Sequence, residues 1–296
     1  MARWLILVAL LLLLPLLGPG LAAPGEGPSV ASVQAFSILV DGQVATGLIG
    51  VPASGSSNVL VVMCHGRGGS AAAFANELAI VANHGWLGVA MDFRGPGTYN
   101  VYNGEADTLA ATRFLQARHP ITRTVLWSFS MGGHVAGMAA MDGPGLYDIW
   151  VNAAGISNWA EVWALNSVVA GDSEAVAHDA GGPPYAVPLV YVDRSPGLNP
   201  MGFLDSGLQH AYLIYGAGDM AVPSDQGQQL ALNLLHQNVP VSMYTAVRTA
   251  DPTDLPGHMK MGFNLVLDRA AGQPPGPLPF VEGIADLSTG SYTPAS

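Results

Sequence analysis

Cysteine is nearly absent from this chain: Cys64 is the only one in 296 residues. A lone thiol closes no internal disulfide, so an exported form of the chain has to rest on its hydrophobic core. There are no Cys/His pairs at zinc-ligand spacing, and no metal site is expected. Charge is scarce as well, at 10% Asp, Glu, Lys and Arg, and the balance is acidic, with a net charge of −11 and no Lys/Arg cluster. That excludes nucleic acid and anionic membrane surfaces as natural partners. Internal repeats are also missing.

What is present begins with a leader. Arg3 precedes an apolar run from Trp4 to Leu17, broken by Pro15, Gly18 and Pro19, with small residues near Ala22 and Ala23. This is the composition of a secretory signal peptide over residues 1–23. The competing reading is an uncleaved anchor, but the run falls short of the ~20 apolar residues that span a bilayer. The mature chain is expected outside the cytoplasm, secreted or periplasmic, with no stable membrane insertion after cleavage.

Strand and helix patterns then alternate. Ser32–Leu39 and Thr46–Val51 flank an Asp41-Gly42 turn and read as a hairpin. Val59–Cys64 is a continuous apolar run, as in a strand buried on both faces. Helical spacing over Ala71–Asn83 and Glu105–Arg118 separates this run from further strands at Leu87–Asp92 and Thr124–Ser128. A Gly/Ala-rich helix, Met131–Met141, leads to a strand at Ile149–Ala153. Ala211–Tyr215, Ser224–Gln237 and Val241–Val247 read strand, helix, strand, and Met259–Ala271 reads as a last helix. Such alternation predicts a mostly parallel sheet with helices on both faces. Residues 156–200 break the pattern and read as an insertion with some helix near its start. Residues 272–296 are Pro/Gly-rich and read as a loose tail.

Chemistry-bearing residues fall after the strands, where such sheets bind ligands. Ser130 lies in the strand–turn–helix stretch "TVLWSFSMGGHVAG", with small residues two before and two after it, Ser128 and Gly132. A tight turn there would expose the hydroxyl as a nucleophile; an ordinary helix N-cap is the plainer alternative. "CHGRGGS", from Cys64 to Ser70, is a Gly-rich loop that offers backbone N–H groups, and it lacks the Lys-Ser/Thr ending of a phosphate loop. Asp219 sits between a strand and a helix, and His258 sits in a Pro-Gly loop before the last helix. Asp205, Asp225 and Asp254 are poorer acids by position, and His134, His178, His210 and His236 poorer bases.

The order Ser130, Asp219, His258 is the chain order of α/β-hydrolases. The sequence resembles that superfamily at His65-Gly66, Asp92-Phe93-Arg94-Gly95, Ser128-Phe129-Ser130-Met131-Gly132, Gly218-Asp219 and Gly257-His258. It is most similar in character to the dienelactone hydrolase-like and prolyl-oligopeptidase-like branches. One departure is Ser128, where the family most often has Gly. The resemblance implies an α/β fold, the α/β-hydrolase fold, over residues 24–271, with the insertion after the strand that follows the elbow helix. It also implies a serine hydrolase with a Ser130–His258–Asp219 triad and oxyanion donors at the backbone N–H groups of Met131 and Arg67. Trp159 and Trp163 in the insertion would line a substrate pocket, or else pack the insertion onto the sheet. Arg94 is expected to make a structural hydrogen bond. The expected reaction is hydrolysis of a small or polymeric carboxylic ester without a cofactor. A peptidase and a silent binding protein are the alternatives. Activity should fall on acidification, as the imidazole of His258 protonates.

Overall fold

A computed structural model describes residues 30–95, 100–165, 172–216, 218–246, 258–276, 281–286 and 291–294. The expected leader and Gly257 lie outside the described residues. A ten-stranded sheet runs in the order β1-β2-β4-β3-β5-β6-β7-β8-β9-β10. Its first strands are the expected hairpin, β1 (Ser32–Val40) and β2 (Gln43–Val51), closed at Asp41 and Gly42. β2 pairs antiparallel with β4 (Leu87–Met91). From β4 the sheet is parallel through β3 (Val59–Cys64), β5 (Arg123–Phe129), β6 (Ile149–Ala153), β7 (His210–Gly216) and β8 (Val241–Ala246). The mostly parallel sheet is therefore as the alternation predicts.

Two apolar layers sandwich this sheet. Along β3, Val59, Val61 and Met63 face one layer, while Leu60, Val62 and Cys64 face the other. That explains why the sequence reads there as an unbroken hydrophobic run rather than an alternation. Each such buried aliphatic side chain contributes on the order of 1.5–3 kcal/mol. Helices α1 (Ala75–Asn83) and α8 (Phe263–Ala270) cover the first layer through Leu78, Val81, Leu265 and Val266. Helices α2 (Val101–Gln116), α3 (Met131–Asp142) and α7 (Ser224–His236) cover the second. β3 has β4 on one side and β5 on the other, so the chain winds away in both directions from this point. The crevice at that switch is where a ligand site is expected.

The chain departs from its sequence pattern in two regions. The insertion holds more helix than its Gly and Pro residues imply: α4 (Trp159–Leu165), α5 (Asp172–Ala180) and α6 (Pro188–Arg194). Pro188 opens α6 rather than breaking it, because the first helical turn needs no N–H from that residue. Where a loose tail is expected, β9 (Val281–Asp286) pairs antiparallel with β8, and β10 (Ser291–Pro294) pairs with β9. β9 covers backbone groups that β8 would otherwise present as a bare sheet edge, and β10 lies along the outer side of β9. Their brevity and the surrounding Gly and Pro weaken the sequence signal.

The insertion is tied to the body of the fold through Arg194. Its guanidinium contacts Asp142 at 2.7 Å and Glu105 at 3.5 Å, and lies over the Tyr102 ring at 5.1 Å. Burial pushes the Glu105 carboxyl up to about 8, with a hydrogen bond to Asp142 adding to the shift. The folded state therefore keeps a proton that the unfolded chain gives up near the ordinary carboxylate value. Stability from this group is full at low pH and drains away as pH rises through the window up to about 8. Thermal melts of wild type should thus fall between mildly acidic and alkaline pH, and the Glu105→Gln variant should show a flatter profile. Equal slopes for both proteins would mean that Glu105 is ionised in the fold throughout.

Candidate active site

Ser130 occupies the turn between β5 and α3, with φ 57° and ψ −127°. A non-glycine residue rarely adopts a positive φ, and here three backbone bonds hold it. The Ser130 N–H donates to the Ala153 carbonyl at 3.2 Å, and its own carbonyl accepts from the N–H groups of Gly133 (2.8 Å) and Ile156 (3.0 Å). The turn is tight enough to dictate small residues. A Cβ on Gly132 would sit 2.1 Å from the Cys64 carbonyl oxygen, and one on Gly133 would sit 2.4 Å from the Gly155 Cα. The small residues of the "SMGGHVAG" stretch are the local sequence's answer to this crowding.

His258 reaches Ser130 from the loop before α8. Its Nε2 lies 2.8 Å from Ser130 Oγ, and its Nδ1 lies 2.9 Å from Asp219 Oδ2. Asp219 follows β7, and its side chain is fully shielded from solvent. The other carboxylate oxygen, Oδ1, accepts from the N–H groups of Ala221 and Val222, each at 2.9 Å. A carboxylate only accepts hydrogen bonds, so Nδ1 carries the imidazole proton and Nε2 is left as an acceptor facing the serine hydroxyl. The structure thus brings Ser130, His258 and Asp219 into one hydrogen-bonded row.

The histidine loop is pinned from below. Trp127 Nε1 donates to the Met261 carbonyl at 2.9 Å. Lys260 Nζ donates to the Ala73 carbonyl at 2.8 Å and pairs with the Glu77 carboxylate. The loop after β3 runs alongside: a Cβ on Gly66 would lie 3.0 Å from Ser130 Cβ. Gly66 to Gly69 form a turn closed by the Gly69 N–H on the Gly66 carbonyl at 3.1 Å, with Gly68 at φ 66°. That positive φ suits glycine at the third place of a type II turn and leaves Arg67 at the second. Met131, the other expected N–H donor, is the first residue of α3.

Other candidates are placed elsewhere. His134 is fully buried, with Nε2 2.6 Å from the Arg194 carbonyl and its ring edge-on to Trp159 at 4.6 Å. Desolvation lowers its pKa to about 4, so it stays neutral and faces the insertion. Trp159 corrects the pocket expectation: it is fully buried among His134, Tyr102 and Tyr191 and offers no surface to a substrate. It opens α4 behind Asn158, whose Oδ1 accepts from the Glu161 N–H at 3.1 Å, and its contact with His134 of α3 packs the insertion down. Trp163 is half-buried against the exposed Tyr185, ring centroids 5.9 Å apart. Arg94 is structural, as expected: its guanidinium pairs with Asp107 and donates to the Val40 carbonyl at 2.6 Å. Among the described residues, no group of three or more His, Cys, Asp and Glu could hold a metal ion.

The bend after β6 has almost no signature in the sequence. Ala154 adopts φ 46°, and its N–H donates to the Ile214 carbonyl at 2.7 Å, which swings Ile156 onto the Ser130 carbonyl. Gly155 is the one local signal of it.

Comparison with known proteins agrees with this architecture. Residues 59–167 match the family model described as the alpha/beta hydrolase fold. No curated protein matches in sequence. Among solved structures, an acylaminoacyl peptidase from Pyrococcus horikoshii is 17% identical with a TM-score of 0.61, covering 81% of this chain and 41% of the peptidase. A puromycin hydrolase is 17% identical with a TM-score of 0.64, covering 88% of this chain and 42% of that one. A thermostable esterase from Pseudomonas putida is 17% identical with a TM-score of 0.55, covering 74% of this chain and 73% of the esterase. The chain thus spans less than half the length of the peptidase and the puromycin hydrolase. At these identities the likeness is one of fold.

Proposed function

We propose that this chain, which has the α/β-hydrolase fold, is a serine hydrolase that cleaves carboxylic esters through an acyl-enzyme. The reading rests above all on the row Asp219–His258–Ser130, in which an acceptor nitrogen faces a hydroxyl held on a strained turn. Ser130 Oγ attacks the ester carbonyl while His258 Nε2 takes its proton. The imidazolium that forms is stabilised by the buried Asp219 carboxylate. The N–H groups of Met131 and Arg67 receive the oxyanion. His258 then returns the proton to the departing alcohol, and water repeats the sequence to free the acid. Esters are favoured as substrates because an alkoxide leaves with less protonation than an amine needs.

A peptidase is the second reading, supported by the fold-level likeness to peptidases. Glu161 or Glu174 of the insertion would be its anchor for a substrate amine. The Glu161 carboxyl is pushed up to about 7 by burial and the neighbouring Asp225, so it would be only partly charged near neutrality. A fluorophosphonate probe and paired panels of p-nitrophenyl esters and peptide p-nitroanilides decide between these readings. Labelling of Ser130 with turnover of esters is expected; turnover confined to anilides would favour the peptidase, and an unlabelled protein a non-catalytic role. The leader supports export, and N-terminal sequencing of secreted protein should find a start near Ala23. Met1 retained in a membrane fraction would favour the anchor.

A further inference from the structure

Beneath the Ser130 turn, four fully buried side chains from three adjacent strands form a continuous hydrogen-bonded chain. Trp150 Nε1 donates to Ser128 Oγ at 2.9 Å, and Ser128 Oγ donates to Asn152 Oδ1 at 2.9 Å. Asn152 Nδ2 then donates to the Tyr215 hydroxyl at 3.4 Å, which donates to the Gly155 carbonyl at 2.7 Å. Every donor points the same way along the chain, so each hydroxyl gives and receives one bond. In-register pairing of Ser128 with Asn152 sets the second link.

Two places along this chain matter. One is Ser128, which takes the Trp150 bond and passes it on to Asn152, two residues before Ser130. The other is the carbonyl of Gly155, in the bend whose neighbours Ala153 and Ile156 grip the backbone of Ser130 from both sides. Glycine is the only residue that fits at 155, since a Cβ there would lie 1.8 Å from Asn152 Oδ1. The chain therefore spans from the strand that enters the turn to the loop that clamps it.

We propose that Ser128 and Tyr215 are positioning residues that hold Ser130 in its strained conformation through this buried brace. Resting on the serine-hydrolase reading above, it explains why a serine stands where the resembling family most often has glycine. The hydroxyl supplies the acceptor for the Trp150 indole and the donor for Asn152, and a glycine would leave both buried groups unpaired. Side chains without a shared hydrogen would pack the same sheet but would not transmit position to Gly155.

The test uses Ser128→Ala, Tyr215→Phe and the double variant, read by kcat and KM on a p-nitrophenyl ester and by the rate of fluorophosphonate labelling. Each single variant should lower kcat and the labelling rate by roughly 10- to 10²-fold, the cost of misplacing a reacting group slightly. KM should stay within about twofold, since no substrate contact is removed. The double variant should be no slower than the worse single one, because the bonds act as one unit. Unchanged kcat with a lowered melting temperature would reduce the chain to packing and overturn the proposal, as would losses that multiply. If Ser128→Ala does not fold, Tyr215→Phe, which removes a single oxygen, decides between the same outcomes by itself. A wild-type protein that the probe leaves unlabelled, or a Ser130→Ala variant labelled as fast as wild type, would overturn the nucleophile assignment and the brace with it.

Discussion

Ser130→Ala should lower kcat for ester hydrolysis by roughly 10⁴- to 10⁶-fold while leaving the fold intact. The Oγ atom has His258 Nε2 as its partner at 2.8 Å, and the backbone bonds that shape the turn come from the Ser130 N–H and carbonyl, which alanine retains. Alanine at φ 57° is strained to a similar degree as serine, so the substitution neither relaxes nor collapses the turn. Ser130 is 8% exposed and fills no apolar space that the methyl group would leave empty. Circular dichroism and a melting temperature within a few degrees of wild type should accompany the lost turnover. Retention of most of the ester hydrolysis would point to another nucleophile.

Asp219→Asn should cost about 10⁴ in kcat, through the wrong imidazole tautomer rather than through lost binding. The carboxylate here serves three N–H donors with two oxygens: Ala221 and Val222 on Oδ1, His258 on Oδ2. An amide has one acceptor oxygen. Turned toward the two backbone N–H groups, that oxygen leaves the NH₂ facing His258 Nδ1. The imidazole must then accept there and carry its proton on Nε2, where it can no longer receive the serine proton. The turn-closing bonds survive this arrangement, so KM and melting temperature should change little. A wild-type rate in the variant would show that Asp219 does not set the tautomer.

Much of this architecture was legible because it is local. The run Val59–Cys64 announces a strand buried on both sides, and the structure has that strand at the same residues. The Gly and Ala residues after Ser130 announce a helix that must approach the sheet closely, and the clash distances at Gly132 and Gly133 give the reason. Ser130, Asp219 and His258 were readable as candidates because each follows a strand or precedes a helix where a parallel sheet opens its crevice. The strands at 281–286 and 291–294 were not readable: the first pairs with β8 in a long-range contact, the second pairs only with the first, and Gly283 weakens the local β signal. Trp159 shows the limit from the other side: its type suits a pocket and a core equally, and only its neighbours decide.

What the sequence determined alone was the alternation of apolar runs with helical spacing, the small residues around Ser130 and the order of the candidate groups. These follow from backbone sterics and from the burial of apolar surface, which act over a few residues at a time. What only the tertiary structure decided was which groups meet. The 2.8 Å between His258 and Ser130 spans 128 positions in sequence, and the brace from Trp150 to Gly155 passes through side chains of β5, β6 and β7. Hydrogen bonds act only near 3 Å, so they depend on how strands are ordered and registered across the sheet. That order comes from packing the two apolar layers, a property of the whole chain rather than of any segment.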